Sequence, residues 1–254
     1  MSADKPDQSF DGIASKFDKN IYGTSKGRLR EAVLAHQLSP YLTDCSPLSI
    51  IDIGGGTGAM AKLALVHEHK VHVNDISADA ITLAQEKLAA YGERVEFTCQ
   101  DLQSLNLPQF DAVFCHAVLE WTQHPLQIID KLLTLLRNDG FLSLTFFNYD
   151  ASLFGNALYG NFDLIRRGLI TKNRVRLNPN NPQRPKVIMN YLLQQGLSIE
   201  LSAGIRCFHD YMRDRQQQIT HYDDLLALEL EYSTQEPYKW LGKYFHIIAR
   251  KAGA

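Results

Sequence analysis

Little in this chain marks it as secreted, membrane-spanning or metal-dependent. It carries only four cysteines, Cys45, Cys99, Cys115 and Cys207, scattered over 254 residues with no Cys-x-x-Cys pair. Neither a disulfide framework nor a thiolate metal site is therefore expected. No apolar stretch approaches the roughly 18 residues that a membrane-spanning helix needs. Residues 1–17 are polar and lack the basic start and apolar run of a secretory signal, so the cytoplasm is the expected location. Net charge is scarce too: 26 Lys and Arg stand against 28 Asp and Glu. That balance excludes a global attraction to a polyanion and leaves room only for a local patch. There is no internal repeat and no low-complexity tract. What remains is an ordinary globular composition, 45% hydrophobic and 21% charged, long enough to bury one sizeable core.

Hydrophobic residues alternate between strand and helix periods along the chain. Residues 48–53, 71–75, 95–99, 112–116 and 141–147 read as short strands, the last preceded by a turn at 138–140. Between them, residues 59–66, 78–90 and 125–136 read as helices, with Ser77 as an N-cap. Residues 197–207 and 244–249 supply two further strands. Such alternation predicts a parallel sheet with helices on both faces. Ahead of it lies a helical cap over about residues 10–45, broken by a turn at 22–27, after which Leu29, Val33, Leu34 and Leu38 recur at helical spacing. Two stretches leave the pattern: a lid over about 149–184 and a second insert over about 211–240, with a helix around 225–230. The expectation is one domain spanning 1–254.

The densest signal is Asp52, Ile53, Gly54, Gly55, Gly56, Thr57 and Gly58, where glycines follow a buried strand and open a helix. Glycines let backbone pass close to a cofactor, and the helix start offers free N–H groups. Spacing alone leaves two cofactors open, because Gly54, Gly56 and Ala59 also satisfy the dinucleotide pattern G-x-G-x-x-A. Three acids favour S-adenosylmethionine over NAD. Asp52 precedes the glycines, where it can face the positive amino-acid end of a sulfonium cofactor and would repel a pyrophosphate. Asp75 ends the next strand, where a carboxylate can accept from both ribose hydroxyls. Asp101 follows the third strand, within reach of an adenine amine. Asp75 by itself does not discriminate, since NAD sites also place an acid about 20 residues on.

These residues resemble motif I of the class I methyltransferases, D/E-x-G-x-G-x-G, over roughly residues 50–147. The resemblance implies a Rossmann-like α/β fold. Its sheet is seven-stranded and mostly parallel, with helices on both faces and a reversed final hairpin, here carrying helical and loop lid insertions. The flanks are more specific: Phe10 to Ala14, Asn20 to Arg30, His116 to Trp121, Gly160 to Asp163, Arg206 to Tyr211 and Gln235 to Tyr238. Together they resemble the bacterial tRNA 5-carboxymethoxyuridine methyltransferases over nearly the whole chain. That resemblance implies S-adenosylmethionine as cofactor, a tRNA anticodon loop as partner, and methyl esterification of the carboxylate on a modified wobble uridine. It also implies that Arg30, Gly54, Gly55, Asp75, Cys99, Gln100 and His116 line the cofactor site, beside Asp52, Gly56 and Asp101. Arg30 can pair with the cofactor carboxylate, and His116 ends the fourth strand, at the rim where open α/β sheets bind ligands.

A carboxylate acceptor has a pKa near 4 and is already a nucleophile at neutral pH, so no general base is expected. A cation should orient it, and Arg206 is the residue expected to do so. His209 and Asp210 are read as strand neighbours whose side chains point apart, with a structural or substrate-positioning role. Arg166, Arg167, Lys172, Arg174, Arg176, Arg184 and Lys186 crowd one stretch, and no acid occurs between Asp163 and Glu200. This fits a phosphate-binding strip, with Lys172, Arg174 and Arg176 on tRNA and Tyr211 among the aromatics able to stack on unpaired bases. A small-molecule or quinone methyltransferase on the same core would have an apolar lid. An NAD-dependent oxidoreductase is disfavoured by Asp52. A non-catalytic RNA-binding module would have little reason to keep the set of cofactor acids.

Overall fold

The computed structural model describes residues 24–169 and 181–253. Its elements run α1 (Ser25–Leu42), β1 (Ser49–Ile53), α2 (Ala59–Val66), β2 (Lys70–Asp75), α3 (Ala78–Leu88), β3 (Val95–Cys99), β4 (Phe110–His116) and α4 (Pro125–Thr134). They continue through β5 (Leu136–Phe147), α5 (Tyr149–Leu158), α6 (Phe162–Arg166), α7 (Pro185–Gln194), β6 (Leu197–Ile205), α8 (Gln217–Thr220), α9 (Tyr222–Tyr232) and β7 (Tyr244–Lys251). The sheet order is β3-β2-β1-β4-β5-β7-β6. Strands β1 to β5 pair in parallel, and β7 enters antiparallel to both β5 and β6. This is the Rossmann-like methyltransferase sheet with its reversed last strand. Among the described residues, no helix is long and apolar enough to cross a membrane.

Strand alternation divides the core in two. Val113 and Cys115 of β4 join one cluster with Ile129 and Leu132 of α4 and Ile188 and Leu192 of α7. Ala112 and Phe114 join the other, with Leu29, Val33, Leu34 and Leu38 of α1 and Leu225 of α9. Helices therefore seal both faces, as a sheet of continuous apolar strands requires. The carboxyl ends of β1 to β6 and the start of β7 are left to form a common rim.

Local details depart from the sequence reading for identifiable reasons. Of the helical cap expected over 10–45 and its turn at 22–27, residues up to 23 lie outside the described residues; helix already begins at Ser25, because the Thr24 side chain accepts from Gly27 N–H and caps it. The turn at 138–140 is absorbed into β5 as an irregularity, with Asp139 at φ +62° and a register shift opposite Phe110 and Ala112. Gly140 is required there, since a Cβ would stand 2.8 Å from the Asp111 carbonyl. Helix α7 went unassigned in the sequence, although Pro185 at its start and the spacing of Ile188 and Leu192 mark it.

Strand β6 stops at Ile205 rather than at Cys207. Arg206 turns the chain at φ +62°, and the next three N–H groups converge on one buried carboxylate. Cys207, Phe208 and His209 donate to Glu229 of α9 at 2.6, 2.9 and 3.0 Å. Burial raises the Glu229 carboxyl, and these three donors oppose it. This nest ties α9 to the rim. His209 and Asp210 consequently lie on a single 3-10 turn, His209–Tyr211, and not on a strand.

Glu229→Gln should lower unfolding stability by about 2–4 kcal/mol, because an amide N–H₂ then faces backbone donors in a buried site. Asp223→Asn, exposed on the same helix, should cost less than about 1 kcal/mol. Urea titration of the two variants checks this, and equal losses would contradict the anchoring role of Glu229.

Candidate active site

The glycine loop leaves β1 at the rim and passes through positive φ at Gly54, Gly56 and Gly58. Gly54 tolerates no side chain, for a Cβ would stand 2.4 Å from Val118 Cγ2. The loop is pinned to β2: Gly54 and Gly55 donate to the Asn74 carbonyl at 2.8 and 3.1 Å. Gly56 N–H donates to Asp75 Oδ2 and Ser77 N–H to Asp75 Oδ1, both at 2.9 Å. Asp75 is thereby fixed in orientation at the rim. Cys99 is the register partner of Asp75, and Gln100 N–H donates to the Asp75 carbonyl at 3.1 Å. Asp101 is exposed and caps the following turn by accepting from Gln103 N–H at 2.8 Å. The sheet thus brings Gly54, Gly55, Gly56, Asp75, Cys99, Gln100 and Asp101 along one stretch of rim.

A hydrogen-bond chain runs beneath the next stretch. Gln37 of α1 donates through Nε2 to the Gly204 carbonyl at 3.2 Å, so its Oε1 is an acceptor. It receives His246 Nδ1–H at 2.8 Å. Burial pushes His246 down to about 3, so the ring is neutral and its Nε2 is an acceptor. Ser143 Oγ–H donates to that nitrogen at 2.9 Å and accepts from His116 Nε2–H at 2.8 Å. His116 is therefore left with a bare Nδ1 lone pair. Burial, with His246 and Arg30 adding to it, lowers its pKa well below the usual value.

Among the described residues, the buried side-chain polar atoms without a hydrogen-bond partner are Asp52 Oδ2, His116 Nδ1, both Glu120 oxygens and His209 Nδ1. All lie at the rim, and orphaned buried groups mark places where a ligand completes the structure. Burial, reinforced by Asp75, pushes Asp52 up to about 7. Burial likewise pushes Glu120 up to about 7, opposed by nearby backbone and by the Arg30 guanidinium. Burial raises the Cys115 thiol, and both acids add to that rise. This half of the rim is a set of unsatisfied acceptors beside one cation, Arg30, whose guanidinium lies 4.7 Å over the Tyr244 ring. It fits a ligand with a donor-rich positive group and a carboxylate, which is the amino-acid end of S-adenosylmethionine. Sequence reading missed Glu120; its signal was a lone acid in the apolar run Val118, Leu119, Glu120, Trp121 just past a strand.

The β5-β7-β6 half of the rim is different. Arg206, expected to orient a substrate carboxylate, is buried and commits its fork to Asp210 at 2.7 and 2.9 Å. Burial alone would raise the Asp210 carboxyl; the guanidinium outweighs it and holds the acid well below the ordinary range. His209 Nδ1 lies 3.5 Å from Asp210 Oδ2. Beside this pair opens a cavity of about 340 Å³ whose lining includes Lys26, Asn156, Tyr159, Tyr211, Arg215 and Lys243. Tyr211 is held by its hydroxyl, which donates to the Leu241 carbonyl at 2.8 Å, and Phe154 packs edge-on against its ring at 5.4 Å. Of the basic strip, Arg166 pairs with Asp163, and Arg184 with Asp150 and the Tyr149 ring. Lys172, Arg174 and Arg176 lie outside the described residues.

Comparison with known proteins agrees with this fold. A methyltransferase-domain family matches residues 51–142. The chain is 39% identical to the tRNA 5-carboxymethoxyuridine methyltransferase of Escherichia coli K12 over 252 residues, 96% of this chain and 97% of that one. It is 31% identical to a malonyl-[acyl-carrier protein] O-methyltransferase of Acetivibrio thermocellus over 107 residues, 41% of this chain and 37% of the other. Magnesium protoporphyrin IX methyltransferase from Synechocystis, solved with bound S-adenosylhomocysteine, superposes at a TM-score of 0.64 with 20% identity over 96% of each chain. A [4+2]-cyclase superposes at 0.57 with 16% identity, covering 88% of this chain and 82% of the cyclase. At such identities the likeness speaks for the fold, and the reaction is argued from the site.

Glu120 makes a pH prediction for the ligand-free protein. Its folded pKa lies above its unfolded value, so the folded state binds the extra proton and stability falls as pH rises from about 4.5 to about 7. Glu120→Gln removes this penalty, on the order of 3 kcal/mol. The variant should gain on the parent across that window and keep a constant lead above it. Urea midpoints at several pH values check this; parallel profiles would contradict it.

Proposed function

The chain belongs to the tRNA 5-carboxymethoxyuridine methyltransferase family, and on that footing we propose how its two-sided rim serves the reaction. It is an S-adenosylmethionine-dependent tRNA methyltransferase. The product we assign is the methyl ester of 5-carboxymethoxyuridine at the wobble position of the anticodon. The observation that carries this reading is the sorting of charge along the rim, with orphaned acceptors at β1 and β4 and cations around the cavity at β5, β7 and β6.

The residues present suit the cofactor. Asp52, His116 and Glu120 would face its positive end and Arg30 its carboxylate, while Asp75 would accept from the ribose hydroxyls. Gly54, Gly55 and Gly56 would admit its passage, and Cys99, Gln100 and Asp101 would lie on the adenine side. Bound there, S-adenosylmethionine supplies a methyl carbon activated by a sulfonium. No residue needs to act as a base, because the acceptor carboxylate is ionised near neutrality. The remaining task is to hold an anion in line and at near-attack distance in a site kept dry.

Recognition of tRNA falls to the cavity mouth and the lid. Leu153, Phe154, Leu158, Tyr159 and Phe162 are exposed on α5 and α6, beside the cavity and beside Arg166 and Arg167. Exposed aromatics next to cations suit unpaired loop bases that stack while their phosphates pair. Lys172, Arg174 and Arg176 extend that charge in sequence. Cytoplasmic tRNA is the substrate pool this implies. A small-molecule or quinone acceptor would call for an apolar cavity, whereas Lys26, Arg215 and Lys243 line this one.

Incubation with S-adenosylmethionine and tRNA carrying 5-carboxymethoxyuridine, followed by nucleoside mass spectrometry, should show a later-eluting nucleoside heavier by one methylene. Mild alkali should return it to the acid. An alkali-stable methyl group, or equal use of tRNA lacking the carboxymethoxy group, would contradict the assignment. For the lid, replacing Lys172, Arg174 and Arg176 with Ala should weaken tRNA binding and flatten its log–log salt dependence by about 0.7–0.9 per lost phosphate contact. Cofactor affinity, read by calorimetry, should stay the same. An unchanged salt slope would remove the strip from the RNA interface.

A further inference from the structure

Of the three cations that line the cavity, Lys26 and Arg215 are exposed and Lys243 alone is partly withdrawn from solvent. Lys243 immediately precedes β7, at the rim, and is half-buried. Its backbone is fixed on both sides: Lys243 N–H donates to the Arg206 carbonyl at 3.2 Å, and Asn148 N–H donates to the Lys243 carbonyl at 3.1 Å. Asn148 also donates through Nδ2 to the Trp240 and Gly242 carbonyls, both at 2.9 Å. Gly242 packs so closely that a Cβ there would stand 2.5 Å from Gly204 Cα. The Lys243 ammonium sits 4.8 Å over the Phe147 ring, and no carboxylate among the described residues pairs with it. Asp210, the acid that shares the cavity lining with it, is already held by both arms of Arg206. Burial lowers the Lys243 pKa, with Asp210 raising it and Arg206 lowering it. A partly desolvated ammonium beside a neutralised pair is short of an anion.

We propose that Lys243 is the counter-ion of the substrate carboxylate, and that the cavity beside it receives the carboxymethoxy-bearing base. This rests on the family reaction stated above and assigns the anion to a residue other than Arg206. Chemistry favours lysine over arginine at this place. A guanidinium fork takes both oxygens of a carboxylate. An ammonium is a point charge that holds one oxygen and leaves the lone pairs of the other exposed for reaction. The Arg206–Asp210 pair then acts as a frame, closing one side of the cavity without competing for the substrate. Position fits as well. Lys243 is adjacent to Tyr244, whose ring touches Arg30 on the cofactor side, and neighbouring strands stand about 4.8 Å apart. Substrate and cofactor halves are thus separated by only a strand or two.

The test is an affinity ratio. An anticodon stem-loop carrying 5-carboxymethoxyuridine and its methyl ester are each titrated onto the parent, Lys243→Met and Lys243→Arg in the presence of S-adenosylhomocysteine. The parent should bind the acid at least tenfold more tightly than the ester. Lys243→Met should bring the ratio to within about twofold of one while ester affinity stays near the parent value, which also reports an intact fold. Lys243→Arg should keep the ratio and KM but lose kcat at least tenfold, since its fork engages both oxygens. A Lys243→Met variant that still prefers the acid as the parent does would overturn the proposal while leaving the methyltransferase reading intact. A parent that neither prefers the acid nor esterifies it would overturn both.

Discussion

The hydrogen-bond chain from the Gly204 carbonyl through Gln37, His246 and Ser143 to His116 is the constraint on which the rim depends. It crosses from α1 through β7 and β5 to β4, entirely within the core. In such a setting each donor must meet an acceptor, and the direction of every bond follows from the one before it. Because Gln37 gives its amide to a carbonyl, the sequence of donors ends with His116 turned outward as an acceptor. An apolar residue in place of Ser143 or His246 would leave His116 free to turn or change tautomer. The chain therefore decides the polarity of a group tens of atoms away, at the place proposed to receive the cofactor's positive end.

That polarity is shared by its neighbours. Asp52 and Glu120 are buried carboxyls with oxygens left short of hydrogen-bond partners, a state that costs folding free energy and that an arriving cation relieves. On the far side of β5 the same reasoning applies with signs exchanged, for Lys243 is a half-buried cation with no carboxylate paired to it among the described residues. Antiparallel entry of β7 produces this juxtaposition. A parallel seventh strand would bring its carboxyl end to the rim, whereas reversal brings the start of the strand, with Lys243 and Tyr244, beside the ends of β5 and β6. Reversal also lets Arg206, leaving β6, turn at positive φ into Asp210. The non-glycine residues just past β4 and β6, Ala117 and Arg206, both hold left-handed backbone, which places the stored strain where ligands meet the sheet.

Much of this was legible in the sequence. Short apolar runs ending in Asp52, Asp75, Cys99 and His116 identify the strands, and their termini are the rim, so the residues that line the rim could be named before any fold was seen. Long-range hydrogen bonding could not. The partner of Arg206 lies only four residues on, yet pairing depends on a 3-10 turn that Glu229 creates from 20 residues away, and so the arginine read as available. Lys243 drew no notice in the sequence, because its significance comes from the cavity around it. Glu120 read as part of a motif, since nothing in a linear sequence says that a carboxylate will be sealed with no donor.

The central claim is that the β1–β4 half of the rim is built to receive a positive group, and proton release tests it most directly. At pH 6.5 the cofactor's amine, with an ordinary pKa near 7.7–8.0, is already protonated, while Asp52 and Glu120, pushed up to about 7, are mostly neutral. A bound cation favours their ionised forms, so S-adenosylmethionine binding should release on the order of one proton. Calorimetry in two buffers of different ionisation enthalpy reads that number. Release that disappears in the Asp52→Asn, Glu120→Gln double variant is the predicted result; binding by the parent with no proton exchange, or with uptake, would contradict it.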